Sequence, residues 1–442
     1  MYSKDDFLKE SRALLSFIEG APTGFHACKN LADMLLEAGC EEIFETEEVA
    51  LTPGKAYFVS RNGSSLIAFR IPEALPHGFM IAASHADSPT YKIKESPELQ
   101  GPMYVRLNTE RYGGMIPYTW LDRPLSVAGR LLVKAENGTI ESRLVNVERD
   151  LLLIPSIAPH MAKITEMNPT TDTVPLFGSA EQKDTFMKTV AEAAGTAPDA
   201  ILSHDLFLYP RTPGTVWGAD EAFLSSPRLD DLECAYSSVR AFCNAIKEDI
   251  PLGVMPVCAV FDNEEVGSQS KQGAASTFLY DTLRRAVSAM GGTEQDYLCA
   301  VASSFMVSAD NAHAVHPNHP EYADPTHRPQ LNGGIVIKRN ASQRYTTDAV
   351  SSAIFSEICA SADVPTQYYF NRSDMPGGST LGNIANTQVS LNTVDIGMPQ
   401  LAMHSSYETA GIKDTAYLIA ALTKCFITKL TFTKNGFQLT HT

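Results

Sequence analysis

Two adjacent glutamates lie in the stretch Phe261-Asp262-Asn263-Glu264-Glu265-Val266-Gly267-Ser268. The residues just before it, Val254-Met255-Pro256-Val257-Cys258-Ala259-Val260, are apolar and β-branched and predict a buried strand. Carboxylates side by side at the end of a buried strand repel one another unless a positive charge lies between them, and a divalent metal often supplies it. Neighbours on an extended chain point to opposite sides, so one glutamate would be a ligand and the other would face a substrate. An acidic surface turn closed by Gly267 carries the same residues, so the metal reading needs ligands from elsewhere in the chain.

His85, Asp230, Asp310 and His404 are the candidates. With Glu265 they offer two imidazoles and three carboxylates, the donor mix expected for zinc, with cobalt or manganese as substitutes. Five donors exceed one tetrahedral ion and suit two ions about 3.5–4 Å apart that share one carboxylate. Several sit where an apolar segment ends, the place where ligands gather in open α/β sheets.

Each candidate also has a plainer alternative. A lone histidine such as His85 is more often a hydrogen-bonded structural residue. Asp87, two positions on, shifts that balance, because it can accept from the second ring nitrogen and fix the tautomer. Asp230, in Arg228-Leu229-Asp230-Asp231, has the residue type of a helix N-cap. Asp310 has that of a turn, although a turn does not call for both His313 and His316 within six positions. His404 by itself is read equally well as a ligand or as a helix-cap or core histidine.

Alternating helices and strands would position these groups. Helical spacing over 5–19 and 27–38, strands at 56–60 and 65–71 joined through Asn62-Gly63, and a strand at 79–83 leading to His85 make a first α/β part. From about residue 93 strands and turns dominate, at 104–107, 125–134, 139–145 and 151–154. A polar loop near 165–182 and one helix over 182–196 complete that block. From about 220 the alternation returns, with helices at 230–247, 273–290 and 414–426 and strands at 254–261, 298–308, 334–338, 366–370 and 389–392. The expected fold is α/β, a doubly wound mixed sheet flanked by helices over 1–92 and 220–442, interrupted by a mostly β inserted domain over 93–219.

Composition sets outer bounds. A chain of 442 residues is long enough for such a split. A net charge of −16 with no basic run argues against a nucleic-acid partner. No apolar stretch approaches the about 20 residues of a membrane span. The start Met1-Tyr2-Ser3-Lys4-Asp5-Asp6 lacks the pattern of a secretory signal. The eight cysteines are scattered without a Cys-x-x-Cys pair, which suggests free thiols in a reducing, cytoplasmic setting rather than a thiolate zinc site.

The set His85-x-Asp87, Arg228-Leu229-Asp230, Asp262 to Ser268, Ser308-Ala309-Asp310-x-x-His313-Ala314-x-His316-Pro317-Asn318 and Ala402-Met403-His404-Ser405 resembles the aspartyl aminopeptidase family of binuclear zinc metallopeptidases. The likeness runs from about residue 20 to 425 and includes Asp122-Arg123-x-Leu125-Ser126-x-Ala128-Gly129-Arg130 and Gln343-Arg344-Tyr345. It implies a zinc-peptidase-like fold holding two zinc ions, with His85 and Asp310 on one, Glu265 and His404 on the other and Asp230 bridging. It makes Glu264 the general base. By the same resemblance His313 would reach an active site in a neighbouring subunit and His160 would contact substrate. Lys338 would face the side chain of the first residue, and Asp374 with Met375 and the loop to Thr380 would line the pocket. The family forms tetrahedral dodecamers in which the inserted domain builds dimer contacts, so a homo-oligomer is expected. Ala86, Asp231 and Gly377 stand where Thr, Asn and Cys are common in that family.

The expected chemistry is peptide hydrolysis. Two cations lower the pKa of a bridging water, toward about 7 in favourable sites. Glu264 would take its proton and later give it to the leaving amine, and His313 would help polarise the scissile carbonyl. A free α-amino group bound at one metal would restrict cleavage to the first residue of a peptide. Lys338, a charge at the end of the strand from Gly334, could pair with an Asp or Glu first residue, although a solvated lysine looks the same. Broad or neutral-residue aminopeptidases and other two-zinc amidohydrolases share the order His, Asp, Glu-Glu, Asp, His. A catalytically silent, metal-stabilised assembly protein is a further alternative, against which the intact Glu264 and ligand set argue.

Overall fold

The computed structural model describes residues 2–163 and 165–441, so of the expected segments 1–92, 93–219 and 220–442, Met1, Ile164 and Thr442 lie outside the described residues. The main sheet has nine strands. Their order is Glu41–Ile43, Ala56–Arg61, Ser65–Arg70, Val254–Phe261, Gly78–His85, Phe305–Ala309, Asn392–Gly397, Ile335–Lys338 and Thr366–Tyr369. The four strands from Val254–Phe261 to Asn392–Gly397 are parallel to one another, and antiparallel pairs flank them, so the sheet is mixed. Val254–Phe261, Gly78–His85 and Phe305–Ala309 are buried at every residue. That is the burial a parallel sheet needs when helices cover both of its faces.

One face packs against Lys4–Glu19, Gly24–Glu37, Leu229–Ala245, Ala349–Ser361 and Asp414–Phe426. The other packs against Phe278–Ala289, Glu294–Ala302 and Leu381–Ala385. Asn62 and Gly63 both have positive φ, which lets the three-residue loop Asn62-Gly63-Ser64 close the hairpin between Ala56–Arg61 and Ser65–Arg70.

A second, antiparallel sheet has six strands: Ile140–Asn146, Leu125–Lys134, Ile201–Pro210, Thr90–Gln100, Tyr104–Tyr112 and Leu176–Ser179. It has its own buried cluster, which includes Tyr91, Trp120, Leu131, Phe186 and Leu206. Its first strand starts at Thr90, three residues before the expected change of texture. A small third sheet joins Thr215–Trp217, Phe223–Ser226, Glu408–Gly411, Pro399–Leu401 and Ala312–His313. It draws together the chain near 230, 310 and 404.

Several local expectations are corrected. The predicted strand over 298–308 is a helix, Glu294–Ala302, followed by the strand Phe305–Ala309. Thr293 and Asp296 form a capping box that starts the helix and overrides the apolar run. Of residues 389–392 only Asn392 belongs to a strand, Asn392–Gly397, while Val389 and Leu391 fill the core as loop residues. Residues 151–154 make only isolated bridges, Leu125 to Leu152 and Leu153 to Leu176. The helix Ala349–Ser361, capped by Asp348, and the hairpin of Thr428–Thr433 with Gly436–His441 were not legible in the sequence pattern. No described helix is long and apolar enough to cross a membrane. All eight cysteines are free, and only Cys299 is exposed.

Candidate metal centre

The C-terminal ends of three neighbouring parallel strands point into one cleft. Gly78–His85 ends on His85, Val254–Phe261 leads into Asp262 to Glu265, and Phe305–Ala309 leads into Asp310. Asp230 enters from the start of the helix Leu229–Ala245, after Arg228 has turned the chain with φ 59°. His404 enters from the loop between Pro399–Leu401 and Glu408–Gly411, itself at φ 66°. Side chains distant in sequence thereby converge, and their donor atoms fall into two sets, each within 4.8 Å. One set is His85, Asp230, Asp231 and Asp310, and the other is Asp230, Glu265 and His404.

Asp230 belongs to both sets, and its two oxygens face different histidines. Oδ1 lies 3.6 Å from His85 Nε2, and Oδ2 lies 3.3 Å from His404 Nε2. His404 Nε2 is also 3.5 Å from Glu265 Oε2. Each imidazole is anchored through its far nitrogen. His85 Nδ1 is 3.0 Å from the Asp87 carbonyl and 3.2 Å from Asp87 Oδ1, and His404 Nδ1 donates to the Gly114 carbonyl at 2.9 Å. Both Nε2 atoms are therefore free to serve as donors to a metal.

Two further carboxylates hold the ligands by their backbones. Asp87 accepts from Glu264 N through Oδ1 and from Glu265 N through Oδ2, both at 3.1 Å. Glu408 accepts from Asp230 N at 3.0 Å and from His404 N at 2.7 Å. Glu264 and Glu265 lie in a short 3₁₀ turn after Asn263 at φ 62°, so a tight turn, rather than an extended chain as expected, separates their directions.

The electrostatics match a cation site. Burial alone would raise Asp230, but the facing imidazoles of His404 and His85 hold its carboxyl below the ordinary range. Burial pushes Glu264 up to about 8, with His85 opposing and Asp310, Asp87 and Asp230 adding to the rise. Burial raises Glu265, Asp231 and Asp310 as well, with Asp230 adding to each. Buried carboxylates gathered this closely stay ionised when a divalent cation supplies the counter-charge. His85 Nε2, Asp230 Oδ1, Asp231 Oδ1 and Glu265 Oε1 are buried without a hydrogen-bond partner. Orphaned donors of this kind, from imidazole and carboxylate, fit zinc.

The structure places the remaining candidates less uniformly. His313 keeps an exposed edge but sits in a dense part of the cleft. Crowding and Lys338 push its imidazole below the ordinary value, while Asp230 and His404 also act on it. These groups all belong to its own chain, and the exposed face of His313 is the part that would be open to a neighbouring subunit. His160 is exposed between Leu153 and Leu176, and no hydrogen bond or ion pair ties it to the cluster among the described residues. Asp374 is exposed and ion-paired with Arg372 at 2.6 Å, and Met375 is also exposed.

Lys338 is only 2% exposed. Its Nζ donates to the carbonyls of Asp310 at 2.7 Å and Asn311 at 3.3 Å and lies 3.8 Å from Asp310 Oδ2. An ammonium has three donors, and two of them hold the Asp310 turn by its backbone carbonyls. Lys338 is thereby buried beside the Asp310 turn, and a substrate carboxylate would have to reach its third N–H. Replacing Lys338 by Met is expected to destabilise the fold by about 1–3 kcal/mol, the cost of leaving buried acceptors unpaired. Cleavage of Asp and Leu amides should fall in the same proportion. Thermal melting and the ratio of the two kcat/KM values check this, and a ratio that collapses would return Lys338 to specificity.

Sequence reasoning missed Asp231, Glu408 and Tyr112. Asp231 Oδ2 accepts from His85 N at 3.3 Å and lies 4.0 Å from His85 Nε2. Its adjacency to Asp230 was the available signal, and the helix-cap reading obscured it. Glu408 stands four residues after His404, which is itself a spacing signal. Nothing in the local pattern marks Tyr112.

Comparison with known proteins adds a consistent picture. The aminopeptidase I zinc metalloproteases (M18) match residues 17–426 as a family. A probable M18 family aminopeptidase 2 of Clostridium acetobutylicum is 43% identical over 423 residues, which are 93% of this chain and 97% of that protein. Among solved structures, Ape4 in its complex with Nbr1 superposes with a TM-score of 0.93 at 33% identity, covering 96% of this chain and 87% of that one. The mApe1 dodecamer of S. cerevisiae gives 0.84 at 27% identity, covering 94% and 96%.

Proposed function

From the premise that this chain belongs to the M18 family of zinc metallopeptidases and is an aminopeptidase, we propose that it removes the first residue of peptides at a two-zinc site built on Asp230. The observation that carries the reading is the single carboxylate whose two oxygens each face a different anchored histidine. His85 and Asp310 belong to one half of the site, and Glu265 and His404 to the other. Cobalt or manganese can replace zinc with this donor set.

When bound, paired zinc ions supply Lewis acidity that activates water and polarises a scissile carbonyl. The protein supplies the rest. Glu264 accepts the proton on its side-chain carboxylate and returns it to the leaving amine nitrogen. The Asp87 oxygens fix the turn that aims Glu264, and Asp87 also holds His85 in the tautomer with Nε2 free. His313, whose imidazole burial and Lys338 shift toward the neutral form, would donate its N–H to the developing oxyanion. The ring of buried carboxylates favours a substrate ammonium, which selects peptides with a free N-terminus.

The first-residue preference divides two readings. The resemblance suggests Asp or Glu. The buried Lys338, committed to the Asp310 and Asn311 carbonyls, favours a neutral or broad preference instead. Residues 93–219 serve in this reading as the inserted domain that builds dimers, and dimers build a tetrahedral dodecamer. His160, Asp374 and Met375, all exposed in loops, are then substrate contacts that need assembly or closure to form. The setting is cytoplasmic, in keeping with the free thiols.

A panel of aminoacyl chromogenic amides with N-acetylated controls tests the function after zinc or cobalt loading. Cleavage abolished by acetylation is the expected result, with Leu and Met amides at least as good as Asp. Cleavage of Asp and Glu amides alone restores the acidic reading. Cleavage of acetylated substrates points to an amidohydrolase. No cleavage with two metals bound leaves an assembly protein.

A further inference from the structure

The segment that leaves the second sheet after Tyr104–Tyr112 runs across both halves of the ligand cluster. Tyr112 is its first contact. The Tyr112 hydroxyl donates to Asp87 Oδ2 at 2.7 Å and accepts from Asn263 Nδ2 at 2.8 Å. Asn263 is fixed in turn, because Ser270 Oγ and Gln272 Nε2 both donate to its Oδ1 at 2.8 Å. The Tyr112 ring stands edge-on to Phe207, at 5.7 Å between centroids, so the hydroxyl has a fixed position. Asp87 is the residue that orients His85 and clamps the Glu264–Glu265 turn.

Gly113 follows at φ 78°, and a Cβ there would come within 3.1 Å of Glu265 Cβ and 3.3 Å of Pro89. Such a conformation with so close an approach suits glycine. The Gly114 carbonyl then accepts from His404 Nδ1 at 2.9 Å, and Ile116 N donates to the His404 carbonyl at 2.9 Å. In five residues the segment touches the partner of His85, the flank of Glu265 and both sides of His404.

We propose that Tyr112 to Ile116 is a positioning element of the metal centre, in which the Tyr112 hydroxyl holds Asp87 and through it the His85 ring and the Glu264–Glu265 turn. The second sheet thus supplies the outer support of a site whose ligands all come from the other two sheets and their loops. The proposal rests on the two-zinc reading above. The Tyr112 hydroxyl touches Asp87 and Asn263 and none of the proposed ligands, so Tyr112 acts through other residues and is a positioning residue.

Tyr112→Phe removes one hydroxyl and keeps the ring. Metal-free protein is titrated with Zn2+ against a chromogenic chelator and with Co2+ by visible absorption. Partners of ligands typically account for 10–100-fold in affinity, so the variant is expected to bind metal about 10–100-fold more weakly. Its Co2+ absorption should be altered, and kcat should fall by about 10–100-fold with KM nearly unchanged. Gly113→Ala is expected to weaken the Glu265–His404 half selectively, so one of two metals is lost first. The melting temperature of metal-free protein controls for folding. A folded Tyr112→Phe with wild-type affinities, Co2+ spectrum and kcat overturns the proposal. If Tyr112→Phe does not fold, unchanged metal binding by Gly113→Ala overturns it. Wild-type protein that binds fewer than two metals instead refutes the two-zinc reading, and the two failures are distinct.

Discussion

Replacing Glu264 by Gln is expected to lower kcat by about 100- to 10,000-fold, the range of a positioned general acid–base, with metal content, KM and melting temperature close to wild type. The expectation follows from how Glu264 is held. Its carboxyl faces His85, Asp310, Asp87 and Asp230, yet it is not one of the donors that close to within 4.8 Å of each other. The turn that carries it is fixed through its backbone N–H by Asp87 Oδ1 at 3.1 Å, so the side chain is not needed to shape the turn. Glutamine keeps the size and loses the proton acceptor. Glu265→Gln should behave differently, because Glu265 Oε2 lies 3.5 Å from His404 Nε2 among the ligands, and there metal should be lost first. Steady-state kinetics beside metal analysis separate the two. Metal loss from Glu264→Gln would move Glu264 into the ligand set, and undiminished turnover would remove it from proton transfer.

The sequence marked the ligands better than it marked what holds them, for a physical reason. His85, Glu265 and Asp310 follow apolar strands that are buried at every residue, and a polar residue at such an end stands out. The same contrast made the strand Val254–Phe261 and the helix Asp414–Phe426 legible to the residue. Where two signals competed the reading failed. The run from Leu298 to Ser308 is apolar enough for a strand, but the Thr293–Asp296 capping box commits its first part to a helix. At Asp230 a ligand competed with a helix cap, which is what an aspartate before a helix usually is, and its neighbour Asp231 went unread.

The supports were not legible because they depend on tertiary approach. Tyr112 gains its role from Asp87 and Asn263, 25 and 151 residues away. Glu408 gains its role from Asp230, 178 residues away, although its tie to His404 is local. Lys338 shows the converse. A lysine ending a buried strand suggested a cation for the substrate, and only the approach of the Asp310 and Asn311 carbonyls reveals that two of its three donors hold the backbone.

Removing the Asp230 side chain is the more severe change, and Asp230→Ala is expected to abolish measurable turnover and weaken both metals by more than about 100-fold, beyond what loss of a ligand's partner causes. One carboxylate serves two imidazoles, at 3.6 Å on the His85 side and 3.3 Å on the His404 side, so its loss opens both halves together. His404→Ala removes a donor from one half only and should spare the metal between His85 and Asp310. The fold should tolerate Asp230→Ala, because the contact of Asp230 with Glu408 runs through the backbone N–H at 3.0 Å and survives the substitution. Ligands that bind only the folded state raise its stability by mass action. Added zinc should therefore raise the melting temperature of wild type, do so less for His404→Ala, and not at all for Asp230→Ala at the same concentration. The ordering of the three proteins is the test. If Asp230→Ala retains one tight metal, the halves are independent and Asp230 is an ordinary ligand of the other. If it retains both, the shared carboxylate is not what holds this centre together, and the site must be rebuilt around Asp231 and Asp310, the remaining carboxylates beside His85.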